Sequence, residues 1–241
     1  MVLLPLQGER ALFDEESKMI VIGDIHLGFE LTLLDRGIHI PNQDKVILAA
    51  LKGIIGKTGC RRLIINGDAV DPLFRKWRIR ERFQRFIQAV PCEEIHIVKG
   101  NHDARIEEIL PPGVNLHPSD GLRIGDVAIL HGHRKSSRRF LSCKTIIISH
   151  SHPALILRDE LGIPLRESCW LRWMGKNQEI IVIPPFNPYM VGHPVNSIER
   201  KPSPVFNQMN AGIDDCDVYL LDGSYLGKVS DLIRYAYSSP S

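Results

Sequence analysis

The sequence predicts an α/β fold, a layered sandwich in which two mixed β-sheets are flanked by helices. The first half alternates apolar strand-like runs with amphipathic helix-like segments, which is typical of a mostly parallel sheet. The second half is rich in short β-branched runs separated by tight turns, which favours a second sheet packed on the first. The chain has 241 residues and no repeat or clear linker, so we predict a single domain over residues 1–241.

Periodicity and turn chemistry predict the elements of the first half. An acidic turn at residues 14–16 joins two apolar runs, 10–13 and 18–22, and predicts a hairpin. Asn42 and Asp44 are helix-start residues, and the apolar residues that follow share one helical face until the stops at Gly56 and Gly59. Further strands are predicted at 62–65 and 94–98, and further helices at 75–90 and 105–110.

Short strands dominate the prediction for the second half. They are predicted at 114–116, 122–124, 127–130, 144–148, 179–183 and 218–221. Residues 155–175 show no clear pattern and are assigned no element. Residues 184–210 are rich in Pro, Asn and Gly and predict loops, and a frayed end is predicted at 238–241.

Composition excludes several classes of protein. A hydrophobic content of 44% with 24% charged residues is ordinary for a globular chain, and a net charge of +2 is too small to argue for a nucleic-acid or membrane partner. The five cysteines are scattered without a CxxC spacing, which predicts a reducing, cytoplasmic setting. The amino terminus does not resemble a signal peptide, and no apolar run approaches the roughly 20 residues of a membrane span. The oligomeric state stays open, with a homo-oligomer as one alternative.

Five predicted strands end in polar side chains of the types that bind metal ions. These residues are Asp24 and His26, Asp68, Asn101 and His102, His131, and His150 and His152. A lone Asp or His after a strand is more often a turn residue or a cap, but five such ends favour one site at the carboxyl edge of the sheets. The i, i+2 spacing of the first and last pairs places both side chains on one side of an extended chain. Carboxylate, amide and imidazole groups favour Mn, Fe or Zn over Ca.

These motifs, in this order, resemble those of the calcineurin-like metallophosphoesterases. They are Gly-Asp24-x-His26, Gly-Asp68-x-x-Asp71, Gly-Asn101-His102-Asp103, His131 and His150-x-His152, from about Met19 to Pro153. Within the family the chain looks most like small prokaryotic enzymes related to the nuclease subunit SbcD and to the phosphoesterase associated with DNA ligase. That narrower resemblance rests on chain length, on Asp-Ile-His-Leu-Gly and on His131-Gly132-His133. It implies the metallo-dependent phosphatase-like form of the sandwich.

The resemblance implies two divalent ions, with Mn as the first choice and Fe, Zn and Ni as alternatives. One ion would be bound by Asp24, His26 and His152, and the other by Asn101, His131 and His150. Asp68 would bridge them, since a carboxylate offers two oxygens. A metal-activated water would then attack phosphorus, and His102 would protonate the leaving group. Asp71 matches an acid that orients the catalytic histidine in the protein-phosphatase branch of the family, although it could also be a turn residue.

Other side chains near the motifs have two interpretations. Arg105 matches a phosphate-binding arginine of the same branch, and alternatively is an exposed residue at a helix start. His133 competes with His131 for one ligand position; block order favours His131 and leaves His133 to face the substrate. Asp103 is interpreted as a helix cap, and Ser149 stands where the family usually has glycine.

Two basic runs, at 75–80 and 134–139, could contact the backbone of a phosphate-rich polymer. We interpret the first run as the solvated face of a helix. Arg134 begins the second run beside a predicted ligand, so it is a candidate substrate-binding residue. Trp170 and Trp173 could stack on a base but are expected to pack in the core or at a dimer contact. His193 is interpreted as a loop residue.

The predicted function is metal-dependent hydrolysis of phosphoesters, leaning towards phosphodiesters such as nucleotides or short nucleic acid. A phosphomonoesterase or phosphoprotein phosphatase is the alternative that Asp71 and Arg105 suggest. A non-catalytic metal-binding scaffold with the same fold is a further alternative, disfavoured because all seven ligand positions and His102 are filled.

Overall fold

The computed structural model describes residues 1–71, 76–190, 192–197 and 202–237, and for residues 76–78 it describes the backbone alone. Part of the first basic run, part of the predicted 184–210 loop and the predicted frayed end at 238–241 lie outside the described residues. The helices are α1 (Phe29–Asp35), α2 (Asp44–Thr58), α3 (Lys76–Gln88), α4 (Arg138–Leu141), α5 (Pro204–Gln208) and α6 (Val229–Tyr237), with 3₁₀ turns at Ile106–Glu108 and Ile213–Asp215.

Among the described residues, six strands form the first sheet. In sheet order they are β1 (Leu4–Pro5), β2 (Leu12–Asp14), β3 (Met19–Gly23), β4 (Arg62–Asn66), β5 (Glu94–Val98) and β6 (Val114–His117). The first two pairings are antiparallel. The pairing of β2 with β3 confirms the predicted hairpin. The pairings from β3 to β6 are parallel, so the carboxyl ends of these strands share one edge.

The second sheet contains the remaining described strands. They are β7 (Leu122–Ile124), β8 (Val127–Leu130), β9 (Thr145–Ile148), β10 (Pro153–Arg158), β11 (Pro164–Met174), β12 (Glu179–Val182), β13 (His193–Pro194), β14 (Asp217–Leu220) and β15 (Tyr225–Lys228). Its order is β13-β10-β11-β12-β9-β8-β7, and β14 joins β11 to β15. Strands β8, β9 and β12 are parallel, so their carboxyl ends also lie together.

Strand residues alternate between two apolar layers of the core. In β3, Ile20 and Ile22 pack under the helices, whereas Met19 and Val21 pack between the two sheets. In β9, Ile147 faces the space between the sheets and its neighbours face the opposite side, where α5 and α6 contribute. Because successive side chains of a strand point to opposite faces, a continuous apolar run fits a strand that is buried on both faces. The predicted fold class is confirmed.

Residues 155–175, which received no element in the prediction, form the long antiparallel pair β10 and β11. Helices α1, α4, α5 and α6 and strands β1, β13 and β15 were also missed. The helix predicted at 105–110 is only the 3₁₀ turn at Ile106–Glu108. Trp170 is buried and Trp173 packs at the edge of the core, so the expectation of packing is confirmed for both.

Candidate metal centre

Strand ends from both sheets deliver polar side chains to one place. Asp24 follows β3, Asp68 follows β4, and His131 and His150 follow β8 and β9. Hydrogen bonds join the two sheets here: the His150 amide donates to Asp24 Oδ2 over 3.1 Å, and the Asn66 side-chain amide donates to the Leu130 carbonyl over 2.8 Å. The strand ends therefore converge at one edge of the two sheets, as the sequence predicted.

A first ligand group consists of Asp24, His26 and His152, whose potential ligand atoms lie within 4.8 Å of one another. His152 Nε2 lies 3.4 Å from Asp24 Oδ1, and all three residues are buried. Both ring nitrogens of His26 and Nε2 of His152 have no hydrogen-bond partner among the described residues. Burial lowers the pKa of His26, which favours the neutral imidazole that binds metal. Unpartnered buried nitrogens beside a carboxylate fit a divalent cation.

A second ligand group consists of Asp68, His131 and His150, also within 4.8 Å. His131 is fully buried, with Nε2 at 3.0 Å from Asn101 Oδ1 and 3.2 Å from Asp68 Oδ2. Burial alone would lower the pKa of His131, but the Asp68 carboxylate outweighs it and raises that pKa to about 9. Burial and the neighbouring His131 lower the pKa of His150 to about 4. A cation on the second group would take the place of the His131 proton.

Asp68 lies between the two groups. Its Oδ2 atom is 3.2 Å from His131 Nε2 and 3.7 Å from His26 Nε2. Its Oδ1 atom accepts a hydrogen bond of 2.9 Å from the His102 amide. Although burial opposes it, contact with His131 holds the pKa of Asp68 well below its usual range. The carboxylate is therefore ionised and reaches histidines of both groups.

His102 stands beside the ligand groups and is held by Asp71. His102 Nδ1 lies 2.7 Å from Asp71 Oδ1, and the Thr32 hydroxyl donates to the other oxygen of Asp71 over 3.2 Å. This hydrogen bond to Asp71 raises the pKa of His102. Asp71 is buried, whereas the His102 side chain is 40% exposed and its ring centroid is 5.0 Å from that of His26. The arrangement presents a proton-carrying imidazole to solvent next to the first group.

Five of the seven predicted ligands have left-handed backbone. Their φ angles are 54° at Asp24, 47° at His26, 47° at Asp68, 63° at His150 and 42° at His152. Such φ values are uncommon outside glycine, although Asp and His adopt them more often than most residues. Strained backbone of this kind is typical of functional sites that the surrounding structure holds in place. The turns that follow the strands thus aim these side chains into the centre.

Two glycines make room for the ligands. Gly67 has a φ of 78°, and a Cβ atom there would lie 2.1 Å from His131 Nδ1. A Cβ atom on Gly100 would lie 2.1 Å from Asp68 Oδ1. Any side chain at either position would displace a predicted ligand.

A family model for calcineurin-like phosphoesterases matches residues 17–193, a span that includes every member of the two ligand groups. The chain belongs to this family. It is accordingly a metallophosphoesterase, a metal-dependent hydrolase that acts on ester bonds. Among solved structures, nuclease MPE from Pseudomonas putida is similar in fold, with a TM-score of 0.60 at 16% identity, over 92% of this chain and 98% of that chain. No curated protein matched.

Asp103 has a different role in this phosphoesterase from the predicted helix cap. Its buried carboxylate accepts hydrogen bonds from the Gly100 amide at 2.9 Å and the Ala69 amide at 3.1 Å. The 3₁₀ turn that follows has no side-chain cap. Burial and the charge of Asp68 raise the pKa of Asp103 to about 6. Asp103 therefore fastens the turn after β5 to the turn after β4, and the cap interpretation is wrong.

Ser149, where the family usually has glycine, contributes a hydroxyl to the second group. Its Oγ lies 3.0 Å from His131 Nδ1 and donates to the Asn66 carbonyl over 2.5 Å. A Cβ atom on Gly23 would lie only 2.7 Å from the Ser149 Cβ, so glycine on the facing strand makes room for serine here. The hydroxyl orients the His131 ring from the side opposite its ligand nitrogen.

Asn187 supports the first group, although no motif in the sequence pointed to it. It is buried in the segment after β12, and its side-chain amide donates to the Ile25 carbonyl over 3.0 Å. The neighbouring Phe186 amide donates to the Gly23 carbonyl over 2.8 Å. These two hydrogen bonds anchor the turn that carries Asp24 and His26 at Gly23 and Ile25.

The three predicted substrate-binding residues lie in different settings. His133 is half-buried, with its ring centroid 5.2 Å from that of His131 and 6.0 Å from that of His150. Burial lowers the pKa of His133 to about 4, and its Nδ1 is buried without a partner among the described residues. Arg134 is exposed and donates to Ser119 Oγ over 3.2 Å. Arg105 is exposed and pairs with Glu108.

His193 lies in the short strand β13 and not in a loop, and it is close to His152 of the first group. Its amide donates to the His152 carbonyl over 2.7 Å, and the two rings are nearly parallel with centroids 6.4 Å apart.

Among the described parts of the chain, no helix has both the length and the apolar character to cross a membrane.

Proposed function

We propose that this phosphoesterase hydrolyses phosphodiesters at a centre of two divalent ions bridged by Asp68. One observation carries the proposal: a single carboxylate oxygen, Asp68 Oδ2, lies 3.7 Å from a histidine of the first group and 3.2 Å from a histidine of the second. Asp24, His26 and His152 would hold one ion, and Asn101, His131 and His150 the other, with Mn as the first choice of metal.

The chain's own residues divide the remaining work. Divalent ions bound there would polarise the phosphoryl group and lower the pKa of the attacking water. Because Nδ1 of His102 is bonded to Asp71, Nε2 is the nitrogen that can give a proton to the leaving oxygen. Such proton donation contributes about 10²–10⁴-fold to a rate. Asp71 is a positioning residue that fixes the ring and favours its charged form.

Three observations support diesters over monoesters. The similar structure is that of a nuclease, and nucleases cut phosphodiesters. The exposed basic residues Arg134 and Lys135 follow His133, where they can contact the flanking phosphate of a longer substrate. Arg105, the residue that suggested a phosphatase, pairs with Glu108 and is exposed.

The test compares hydrolysis of p-nitrophenyl phosphate and its bis ester with and without added Mn²⁺. We expect turnover of the bis ester that a chelator abolishes and Mn²⁺ restores. Asp68→Asn should lose about 10³-fold or more, because it removes several kcal/mol of metal-dependent stabilisation. Exposed Asp126→Asn is the matched control and should keep full activity.

His102→Ala separates proton donation from metal binding. It should lose about 10²–10⁴-fold on an alkyl ester but less on p-nitrophenyl esters, whose leaving group needs little protonation. Exposed His39→Ala is the control. Equal activity of Asp68→Asn and the wild type would overturn the metal centre, and a strong preference for the monoester would overturn the diester assignment.

A further inference from the structure

Two cysteines lie side by side at the edge of the first sheet opposite the metal centre. Cys60 precedes β4 and Cys92 precedes β5, and their Sγ atoms are 3.7 Å apart. Both are free thiols; Cys60 is buried, whereas Cys92 is half-buried and reachable from solvent. Neither has a part in the ester hydrolysis.

The register of the two strands places the cysteines directly opposite each other. Arg62 pairs with Glu94 in the parallel ladder, and their side chains form an ion pair of 2.6 Å. One residue earlier, Arg61 and Glu93 form a bidentate ion pair with distances of 2.7 and 2.8 Å. Continuing this register by one residue sets Cys60 against Cys92.

The same register favours a covalent link. Neighbouring strands lie about 4.8 Å apart, and disulfides join Cα atoms about 4.4–6.8 Å apart. Rotation of the two side chains can therefore close the remaining gap between the sulfurs without moving either strand. The backbone ladder between β4 and β5 holds the strands in place while this happens.

We propose that Cys60 and Cys92 are a redox modification site that forms a reversible disulfide with hydrogen peroxide. The Cys60 thiolate attacks one peroxide oxygen, the O–O bond breaks, and the leaving hydroxide takes a proton to become water. Cys92 then attacks Sγ of the resulting sulfenic acid, loses its proton and displaces a second hydroxide as water. Two thiols are oxidised and one peroxide is reduced to two waters.

The contact between the two sulfurs favours a thiolate within the pair. It lowers the pKa of Cys60, in opposition to burial, and raises the pKa of Cys92. Burial instead raises the pKa of Cys143, Cys169 and Cys216. Since the thiolate is the reactive form, oxidation should concentrate on this pair.

The link would close a loop that contains Asp68 and Asp71. Closing a loop of this length restricts the unfolded chain and stabilises the folded one. The consequence is a part of the enzyme that resists unfolding under oxidising conditions while the metal centre, at the opposite ends of the same strands, keeps its geometry.

The test treats the full-length protein with graded peroxide, blocks remaining thiols with an alkylating reagent, digests with trypsin and maps the peptides by mass spectrometry. We expect residues 58–61 joined to residues 86–99, with the loss of two hydrogens, and separation of the two peptides by dithiothreitol. The oxidised wild type should melt about 5–10 °C higher than the reduced protein.

Single serine variants supply the controls. Cys60→Ser and Cys92→Ser should form no such link and show no rise in melting temperature on oxidation. Buried Cys143→Ser should behave like the wild type. Oxidation of each cysteine to sulfinic acid on separate peptides, links only between chains, or an unchanged melting temperature of the linked protein would overturn the proposal.

Discussion

The two ligand groups differ in how their nitrogen atoms are satisfied. In the first group, three ring nitrogens of His26 and His152 are buried without a hydrogen-bond partner among the described residues. In the second group, His131 contacts Asp68, Asn101 and Ser149. The second group can therefore keep its shape by hydrogen bonding, with a proton on His131. In the first group, a bound cation would supply a partner that the described residues do not.

The largest expected effect comes from changing Asp68, the carboxylate that we propose as the bridge between the two groups. Asp68→Asn should lower affinity for both ions, whereas His152→Ala and His150→Ala should each remove one ion only. Calorimetric titration with Mn²⁺ measures the number of ions bound per chain. Binding of one ion by the wild type, or loss of both in either histidine variant, would show that the groups do not act as separate sites.

Gly67→Ala should break the second group and spare the first. The new Cβ would lie 2.1 Å from His131 Nδ1, so the ring must move away from Asp68 and Asn101. We expect activity to fall by about 10²-fold. This is the upper end of the loss seen when residues that orient metal ligands are mutated. Gly8→Ala is the matched control, because Gly8 has a similar φ of 76° and no atom within 4 Å of the new Cβ. An equal loss in both variants would point to backbone strain alone.

Asp71→Asn tests the role of His102, which lies next to the first group. The amide cannot hold the charged ring as the carboxylate does, so proton donation should weaken by about 10–100-fold on an alkyl ester. The loss should shrink on a p-nitrophenyl ester, and the number of bound ions should stay the same. A loss independent of the leaving group would mean that Asp71 only supports the fold.

Ser149→Ala should give the smallest effect. It removes the hydroxyl that contacts His131 Nδ1 and leaves the Asn66 carbonyl with one contact fewer. We expect about a tenfold loss in activity and about 1 kcal/mol in stability. Chemical denaturation measures the change in stability, and the bis-ester assay measures the change in activity. Ser149→Gly, the residue usual in the family, is the informative companion and should resemble the alanine variant.

The sequence predicted the central strands well because their apolar residues mark the buried positions. Val127–Leu130 is apolar throughout and buried at every position, whereas in Glu94–Val98 the apolar residues are buried and Glu94 is exposed. The pair β10 and β11 was missed for the opposite reason: Leu161 and Ile163 in the connection and Leu165 in β11 are apolar but exposed, so hydrophobicity does not mark burial there. Helix α6 was missed although its buried residues Val229, Leu232 and Ala236 recur at helical spacing.

The positions of the candidate ligands were predictable because they follow strands directly. The residues that hold the candidate ligands in place were not predictable, because their roles depend on contacts between segments that are distant in sequence. Asn187 reaches Ile25 across 162 residues, and the fit of Ser149 against Gly23 appears only when the two sheets pack. Asp103 was misassigned because a carboxylate before a helical turn is usually a cap, whereas here the buried turn amides of Gly100 and Ala69 compete for it.

The left-handed backbone at the predicted ligand residues lowers the stability of the fold, because residues other than glycine are strained in this conformation. At His152, where φ is 42°, alanine keeps the unfavourable conformation while glycine relieves it, and both lose the imidazole. His152→Gly should therefore melt at a higher temperature than His152→Ala, and both should lose activity. Selection for stability alone would favour glycine at such positions, so histidine and aspartate there fit selection for a function.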